Sequence, residues 1–272
     1  PVRIDLDFKS TIPEPDDFNG DDSPRLYKEK EVEDVCKIYI HVIKQWLTDL
    51  TNEECQCFIM EKQKSKWSEK DDVMIEIKDG VHIMFPYINI EKFLQVEIRN
   101  KAYKLADEHE IFKTKLDNSY SDIFDLSIIK QNGWLMYGSQ KQGDSSQTYK
   151  VTRILEFTQN IRKDYQHETF TNIDISTKTN KELVSLLSIR NKTETQKLNP
   201  QHVIEYNRLQ QMYNNPECKK KQSLFIRDKN KIQGNRAKEE LQLITGFTRR
   251  NEIGEILEEK KGYVDCLRLE RC

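Results

Sequence analysis

The 272-residue sequence has few of the features that mark secreted or membrane proteins. Its six cysteines are too few and too scattered for a disulfide framework, and it has no signal-peptide pattern and no apolar run of 18 residues. These absences predict a protein of a reducing, intracellular compartment with no membrane partner. Cys55-x-Cys57 is the only close cysteine spacing, and without a second pair at zinc-finger spacing it favours free buried thiols over a zinc site.

The chain also has no large excess of positive or negative charge. The chain carries 44 basic and 46 acidic residues, a formal net charge of −2, and its mean hydropathy is −0.81. Any nucleic-acid surface must therefore be a local patch. One candidate lies between Lys219 and Lys238, where eight basic residues accompany a single acid. This segment is either a solvated basic loop or a surface for the phosphates of a DNA strand.

Hydrophobic periodicity predicts the element order β, α, β, β, β, α, β, β, followed by helices. The first strand lies at residues 3–8, and amphipathic helices run from Glu31 to Leu50 and from an Asn89 cap to about Asp107. The further predicted strands are CQCFIM, VMIEIK, VHIMF, WLMYG and YKVTRILEF. Asp79-Gly80 separates the second and third of these and predicts a hairpin turn.

This order is typical of an α+β core followed by a helical appendix. Later helices are predicted at NKELVSLLSIR and from Pro200 to Tyr213. We expect a core at residues 1–160, a linker with a short helix at 161–198, and a helical, locally basic extension at 199–272. Because the chain does not begin with Met and its first motif arrives at residue 5, we also expect it to be a piece of a longer polypeptide.

The first predicted strand, RIDLDF, carries two acids that project to the same face, while its apolar residues face the other way. Asp5 and Asp7 are about 7 Å apart at their Cα atoms in an extended strand. Two such carboxylates repel each other unless a cation lies between them. The pair is therefore either a solvent-facing half of a strand or a site for two Mg²⁺ or Mn²⁺ ions, as used in nucleotidyl transfer.

Three further features add candidate site residues. His82 follows Gly80 at the start of a predicted strand, and is either a core histidine or a ligand-binding one. Asp125 is a possible third acid. The predicted strand WLMYG ends in Gly138-Ser139-Gln140-Lys141, which is either an ordinary turn or a source of backbone N–H groups, a hydroxyl and an ammonium for a triphosphate.

The ordered set of these motifs resembles the archaeo-eukaryotic primase (AEP) superfamily. DLDFK, DGVHIMFP and NGWLMYGSQK are similar to the primase domain of primase-helicases of large nucleocytoplasmic DNA viruses, over roughly residues 1–160. The resemblance implies an RRM-like core with helices on one face. It also implies a metal-dependent primase that makes primers from nucleoside triphosphates on a single-stranded DNA template.

The resemblance assigns roles residue by residue. It implies that Asp5, Asp7 and Asp125 bind two Mg²⁺ or Mn²⁺ ions, with Asp122 as an alternative third acid. It implies that His82 contacts the phosphates of the incoming nucleotide, with Gly80 in the small position before it. The other expected contacts are Ser139 and Lys141 for the nucleotide, and for template DNA Lys219, Lys220, Lys221, Arg227, Lys229 and Lys231.

The helicase motor of such proteins is not in this sequence, because no stretch fits the Walker A pattern. We therefore expect the chain to be the N-terminal part of a protein that continues into a ring-forming, hexameric helicase. For a viral protein we expect the host cytoplasm, in a viral factory, or the nucleus. Two alternatives stay open: a primase-polymerase that uses deoxynucleotides, and a non-catalytic module for DNA binding and assembly.

Overall fold

A computed structural model describes residues 1–13, 24–71, 74–130, 134–139, 147–189 and 196–215. The structure combines an antiparallel sheet with helices, so the predicted α+β class is confirmed. In chain order the strands are β1 (Val2–Pro13), β2 (Leu47–Thr48), β3 (Gln56–Glu61), β4 (Lys66–Asp71), β5 (Met74–Phe85), β6 (Lys150–Phe157), β7 (Phe170–Ile173) and β8 (Lys197–Leu198).

Two long helices and several short ones accompany the strands. Three-residue 3-10 turns lie at Tyr165–His167, Ile175–Thr177 and Pro200–His202. The α-helices are α1 (Glu29–Trp46), α2 (Lys92–Glu108), α3 (Tyr120–Ile123), α4 (Ser127–Lys130), α5 (Asn180–Leu186) and α6 (Val203–Asn214).

The main sheet has the order β1-β5-β3-β6-β7, and β4 pairs with the first half of β5. β1 pairs antiparallel with β5 over its whole length, from Val2 opposite Phe85 to Pro13 opposite Met74. β2 and β8 form a separate two-stranded ladder. A strand as long as β5 therefore lies between β1 on one side and β3 and β4 on the other.

Strict alternation in β1 separates the core from the site. Ile4 is in register with Ile83 of β5, which is in register with Ile59 of β3, and all three are buried. Arg153 continues this row in β6 and forms ion pairs with Glu29 and Glu33 of α1. Helix α1 therefore covers the apolar face. Because side chains alternate along a strand, the acids of β1 lie on the opposite face.

That opposite face carries a second apolar cluster beside the acids. It is built on strands β3, β5 and β6 and is covered by the chain around α4 and α5. Its buried members are Phe58, Met60, Met84, Val96, Ile128, Ile129, Trp134, Tyr149, Ile154, Leu183 and Leu187. The face with the candidate site is thus bordered by apolar side chains on one side.

The hairpin predicted at Asp79-Gly80 is wrong. β5 continues through both residues, because β1 pairs with the whole strand, and β4 pairs instead with residues before Asp79. The buried Asp79 carboxylate accepts hydrogen bonds from the Arg25 guanidinium at 2.9 Å and from the Leu26 amide at 3.3 Å. In this protein Asp79 binds the neighbouring segment at Arg25 and Leu26, and Gly80 allows close packing. The pair does not form a turn.

The strand predicted at WLMYG is also wrong in the residues described there, 134–139. Trp134 is buried in the second cluster, and Gly138 lies in a turn with a φ of +76°. The Gly138 amide donates to the Tyr149 carbonyl at 3.0 Å. The aromatic residues of this segment pack against the sheet face instead of joining a strand ladder.

Smaller differences concern element ends. The charged segment between the predicted strands CQCFIM and VMIEIK contains a further strand, β4. Glu91, and not Asn89, is the N-cap of α2, and the amide of Asn89 donates to Gln196 Oε1 at 2.8 Å. The helix predicted at 180–190 ends at Leu186. Cys36, Cys55 and Cys57 are free and buried, and burial raises the pKa of the Cys55 thiol to about 12.

The chain divides into two units, Pro1–Pro200 and Gln201–Cys272. The described part of the second unit ends at Asn215 and contains α6, in which Arg208 forms an ion pair with Glu205. The predicted division at residues 160 and 198 stays a prediction. Among the described helices, none has the length and apolar character needed to cross a membrane.

Candidate metal centre

Asp5 and Asp7 lie on the face of β1 that points away from the apolar core. The side chain of Asp5 is largely buried, with 14% exposed, whereas Asp7 is exposed. Asp7 is opposite Gly80 in β5, and Asp5 is opposite His82. The alternation that buries Ile4, Leu6 and their neighbours therefore sets both carboxylates and the histidine on one surface.

Asp125 reaches the same place from the segment between α3 and α4. Its amide donates to the carbonyl of Asp5 at 2.9 Å, and Phe124 forms a β-bridge with Leu6. Asp5, Asp7 and Asp125 each offer a carboxylate oxygen, and these oxygens lie within 4.8 Å of one another. Backbone pairing between two distant segments thus creates the cluster.

The structure brings Asp125, and not Asp122, into this cluster. Asp122 belongs to α3, where its carboxylate accepts a hydrogen bond from Ser119 Oγ at 2.8 Å. Asp125 is oriented by the residue two positions later: the Ser127 amide donates to its Oδ1 at 2.9 Å, and the Ser127 hydroxyl donates to its Oδ2. These bonds hold the carboxylate in one rotamer.

Arg99 of α2 hydrogen-bonds to the backbone of the segment that leads to Asp125. This residue is 6% exposed, and its Nε donates to the Phe124 carbonyl at 2.8 Å, while Nη2 donates to the carbonyls of Phe124 and Ser121. Burial lowers the pKa of the Arg99 guanidinium. The planar fork therefore fixes the backbone that leads into Asp125, a role that sequence reasoning missed.

His82 is 4% exposed and lies between two aromatic rings. Its ring centroid is 3.6 Å from that of Tyr149 and 4.2 Å from that of Trp134, with interplanar angles of 12° and 23°. Its Nε2 lies 3.4 Å from Asp5 Oδ1. Within the described residues this contact lacks hydrogen-bond geometry, and neither His82 Nδ1 nor Asp5 Oδ1 has a hydrogen-bond partner.

Tyr149 is a site residue that sequence reasoning placed only in a strand. Burial and the nearby carboxylates of Asp5 and Asp7 raise the pKa of its hydroxyl well above its ordinary value, so the phenol stays neutral. A Cβ added at Gly80 would lie 3.2 Å from the Tyr149 hydroxyl and 3.1 Å from the Leu6 carbonyl. A side chain at position 80 would therefore push against both, and glycine leaves the room that Tyr149 occupies.

The remaining predicted site residues are only partly described. Ser139 follows the turn that is bonded to Tyr149, and its amide donates to the Met136 carbonyl at 2.9 Å. Lys141 lies outside the described residues. The same holds for the predicted DNA-binding set, which comprises Lys219, Lys220, Lys221, Arg227, Lys229 and Lys231.

The three carboxylates suit a hard divalent cation. Mg²⁺ and Mn²⁺ prefer oxygen ligands, and the cluster offers such oxygens from three separate side chains. Asp5 Oδ1 is buried and lacks a hydrogen-bond donor among the described residues, which is costly unless a cation or a proton satisfies it. The residues present therefore fit a divalent metal site.

The fold and the site together define an α+β protein with a three-carboxylate cluster beside a buried histidine. The family model for the "C962R protein N-terminal AEP domain" matches residues 1–155, and the chain belongs to this family. All three carboxylates, His82 and Tyr149 lie within the matched residues.

Three viral proteins are similar to this chain. The "Putative helicase L207/L206" of Acanthamoeba polyphaga mimivirus is 33% identical over 169 residues, covering 61% of this chain and 16% of that protein. The "Putative helicase 184R" of Invertebrate iridescent virus 6 is 28% identical over 210 residues, covering 71% and 21%. The "Putative helicase 121R" of Invertebrate iridescent virus 3 is 25% identical over 161 residues. The chain thus spans about a fifth or less of these relatives.

Proposed function

We propose that this chain is the primase domain of a viral-type primase-helicase, a nucleotidyltransferase that joins nucleoside triphosphates on a single-stranded DNA template. The observation that carries the proposal is the meeting of Asp5, Asp7 and Asp125 within 4.8 Å in a member of an AEP family. The antiparallel order of β1, β5, β3 and β6 with α1 on one face supports an RRM-like core.

In this proposal Asp5, Asp7 and Asp125 hold two Mg²⁺ or Mn²⁺ ions. When bound, such ions lower the pKa of an attacking 3′-hydroxyl and neutralise the charge of the leaving pyrophosphate. The Asp125 amide donates a hydrogen bond to the Asp5 carbonyl, and this bond holds the two residues at a fixed separation during the reaction. Ser127 and Arg99 hold the third carboxylate and its backbone in place.

His82 is proposed to contact phosphate oxygens of the incoming nucleotide, together with Gly80, Ser139 and Lys141. Its position supports this, because His82 Nε2 lies 3.4 Å from Asp5 Oδ1, and a phosphate held by an ion at Asp5 would lie near the imidazole. The two stacked rings keep the imidazole from rotating. A positioned hydrogen-bond donor to a phosphate costs no reorganisation when the substrate arrives.

The relatives' names support a longer protein. Since the chain spans 16% to 21% of the two most similar relatives described above, we propose that it continues into a helicase that forms a hexameric ring. We also propose that the basic residues after position 218 hold the template and that the protein acts inside the infected cell. Several primase domains tethered to one ring would raise the effective concentration of template at each of them.

Primer synthesis by the full 272-residue chain tests the proposal. Labelled ribonucleotides and deoxynucleotides are offered on single-stranded DNA, first with Mg²⁺ and then with Mn²⁺. Asp5→Asn, Asp7→Asn and Asp125→Asn should each lower primer synthesis by at least 100-fold, while Asp122→Asn, the matched control outside the cluster, should keep it. Substantial activity in all three cluster variants would reject the metal assignment.

The same assay separates the alternatives. Incorporation of deoxynucleotides in preference to ribonucleotides would identify a primase-polymerase. A wild-type protein that binds the template but joins no nucleotides under either metal would identify a non-catalytic binding module.

A further inference from the structure

The outer edge of β1 contains the backbone of two of the clustered acids. β1 is the last strand on its side of the main sheet, and β5 pairs with its inner edge. Backbone groups of Asp5, Asp7 and Lys9 bind the α3 segment (residues 117–125), which lies beyond the outer edge. Backbone at the edge of a sheet opens more easily than backbone in its centre unless its groups are paired. The partners along this edge therefore affect how firmly the acids are held.

The α3 segment pairs with this edge through its own backbone at two places. The Asp117 amide donates to the Lys9 carbonyl at 2.7 Å, and the Asp125 amide donates to the Asp5 carbonyl at 2.9 Å. Between these two contacts the segment has more chain than the edge of β1 needs, and the surplus forms the single turn of α3. On β1, Asp7 lies between the two contacts.

The side chain of Asn118 bridges the part of the edge between these contacts. Its Nδ2 donates to the Asp7 carbonyl at 2.6 Å, and its Oδ1 accepts from the Lys9 amide at 3.2 Å. A carboxamide carries an acceptor and donors side by side, as a peptide group does, so it takes the place of a neighbouring strand here. Asn118 directly precedes Ser119, the N-cap of α3, whose hydroxyl accepts from the Asp122 amide. The start of α3 thus holds Asn118 against β1.

The two acids of β1 differ in their surroundings. Asp5 is largely buried, and its carboxylate lies beside His82. Asp7 is exposed and lies opposite Gly80, which has no side chain to pack against it. At the outer edge the Asp5 carbonyl is bound by a main-chain amide, whereas the Asp7 carbonyl is bound by the side chain of Asn118. A substitution at position 118 therefore acts on the backbone of Asp7 without changing a carboxylate.

We propose that Asn118 is a positioning residue of the metal centre. By holding the β1 backbone at Asp7, its carboxamide keeps the Asp7 carboxylate at the separation from Asp5 and Asp125 that a divalent cation requires. The proposal rests on the proposed function in one respect, that these three carboxylates bind such a cation. Small displacements matter because Mg²⁺ demands nearly ideal octahedral geometry, with oxygen ligands at about 2.0–2.1 Å.

Binding of Mn²⁺ to the full 272-residue chain, measured by electron paramagnetic resonance without nucleotide or DNA, tests the proposal. Asn118→Ala should weaken Mn²⁺ binding by about tenfold, the lower end of the effect of residues that orient metal ligands. Thr11→Val is the matched control and should leave Mn²⁺ binding unchanged. Thr11 Oγ1 donates to Asp117 Oδ2 at 2.6 Å, so it also joins β1 to the α3 segment, but farther along β1 from the acids.

Thermal unfolding separates positioning from simple stabilisation of the fold. Both variants remove hydrogen bonds between β1 and the α3 segment, so both should lower the melting temperature, and only Asn118→Ala should also lose Mn²⁺ affinity. Equal losses of affinity in the two variants, or unchanged affinity in Asn118→Ala, would overturn the proposal. Asn118→Ser has a hydroxyl too short to reach both backbone groups. It should weaken Mn²⁺ binding as well, and it repeats the test if the alanine variant is not folded.

Primer synthesis supplies a second readout. Asn118→Ala should need about tenfold more Mn²⁺ than wild type for half-maximal synthesis, in proportion to its lost affinity. At saturating Mn²⁺ its rate should return to within about twofold of wild type, because the bound ion then holds the three carboxylates together. A rate that stays low at saturating Mn²⁺ would show a role other than positioning and would overturn the inference.

Failure of the proposed function looks different. A wild-type chain that binds Mn²⁺ but joins no nucleotides would reject primase activity. If Asn118→Ala still weakened Mn²⁺ binding in that case, and Thr11→Val did not, the positioning role of Asn118 would stand.

Discussion

The imidazole of His82 lies flat against the phenol ring of Tyr149, with ring centroids 3.6 Å apart and planes inclined by 12°. Trp134 stacks on the same imidazole at 4.2 Å. Stacking restricts the rotation of the ring, so the direction of its two nitrogens is set by residues from distant parts of the chain. The histidine beside Asp5 is therefore prepared by packing rather than by a hydrogen bond from a neighbour.

This stack predicts different results for two changes at one position. Tyr149→Phe keeps the ring and should keep primer synthesis within a few-fold. Tyr149→Ala should lower the free energy of unfolding by about 3 kcal/mol and raise the nucleotide KM by about tenfold, because the imidazole is no longer held. Urea unfolding and nucleotide titrations measure the two effects. A Tyr149→Ala protein with wild-type KM, after correction for its folded fraction, would contradict the positioning role.

Arg99 should act on the metal centre without touching it. Arg99→Lys keeps the charge but loses the fork that binds the Ser121 and Phe124 carbonyls, so Asp125 should be held less firmly. We expect a loss of about 2 kcal/mol of stability from the unpaired carbonyls and weaker Mn²⁺ binding, measured by electron paramagnetic resonance. Lys104→Arg on the exposed side of α2 is the control. Unchanged Mn²⁺ affinity in a destabilised Arg99→Lys protein would show that Arg99 stabilises the fold but does not position the metal site.

A buried ion pair joins α1 to the chain after β6. Lys44 Nζ lies 2.5 Å from Glu168 Oε2, and the two side chains are 1% and 0% exposed. Glu168→Gln should lower the free energy of unfolding by about 3–5 kcal/mol, because it leaves a buried ammonium without its counter-charge. The double variant Lys44→Met/Glu168→Leu should recover most of that loss. Chemical unfolding of the wild type, the single variant and the double variant measures these losses. Equal losses in the single and double variants would show that packing, and not charge, determines the contribution of this pair to stability.

Lys130 predicts a pH dependence of stability. Burial, with a smaller effect of Arg99, lowers the pKa of Lys130 from 10.5 to about 8 in the folded protein. Arg3 and Lys92 line a cavity together with Lys130. Between these two pH values the unfolded chain holds more protons, so this residue makes stability rise with pH from about 8 to 10.5. Below pH 8 its full cost remains.

Lys130→Met should therefore stabilise the protein at pH 7, by about 1–2 kcal/mol after discounting for its partial exposure. The gain should shrink as the pH rises through 8 toward 10.5. Urea unfolding at pH 7 and pH 10 measures the difference, with Lys104→Met as the exposed control. A variant that is less stable than wild type at pH 7 would show that the ammonium already has a stabilising partner.

The sequence predicted the acids of the first strand, because alternation alone places Asp5 and Asp7 on one face. Periodicity alone did not identify the partners of those acids; Asp125, with Asp122 as the alternative, and His82 were assigned through the family resemblance, and the structure brings Asp125 to the two acids. Asp125 and Asp122 look alike in the sequence, and only the backbone pairing of Phe124 with Leu6 distinguishes them. Tyr149 and Trp134 were predicted as strand residues, since an aromatic run has the same pattern whether it pairs in a sheet or packs on its face.

The hairpin prediction at Asp79-Gly80 was wrong for a related reason. Asp79-Gly80 has the composition of a hairpin turn, but long-range pairing with β1 keeps the strand straight through both residues. Contacts such as that of Asp79 with Arg25, 54 positions away in sequence, have no local signature. Element types that depend on short-range periodicity were therefore predicted well, and those decided by distant pairing were not.

The short ladder between β2 and β8 has a consequence for where the chain can be cut. Leu47 and Thr48 pair with Leu198 and Lys197, and the Asn199 amide donates to the Trp46 carbonyl at 2.8 Å. A polypeptide truncated at residue 155, where the family match ends, loses this ladder, β7 and the partner of Lys44. A stable expression fragment should therefore extend at least to residue 200, and proteases should leave the segment from 196 to 199 intact in the native protein.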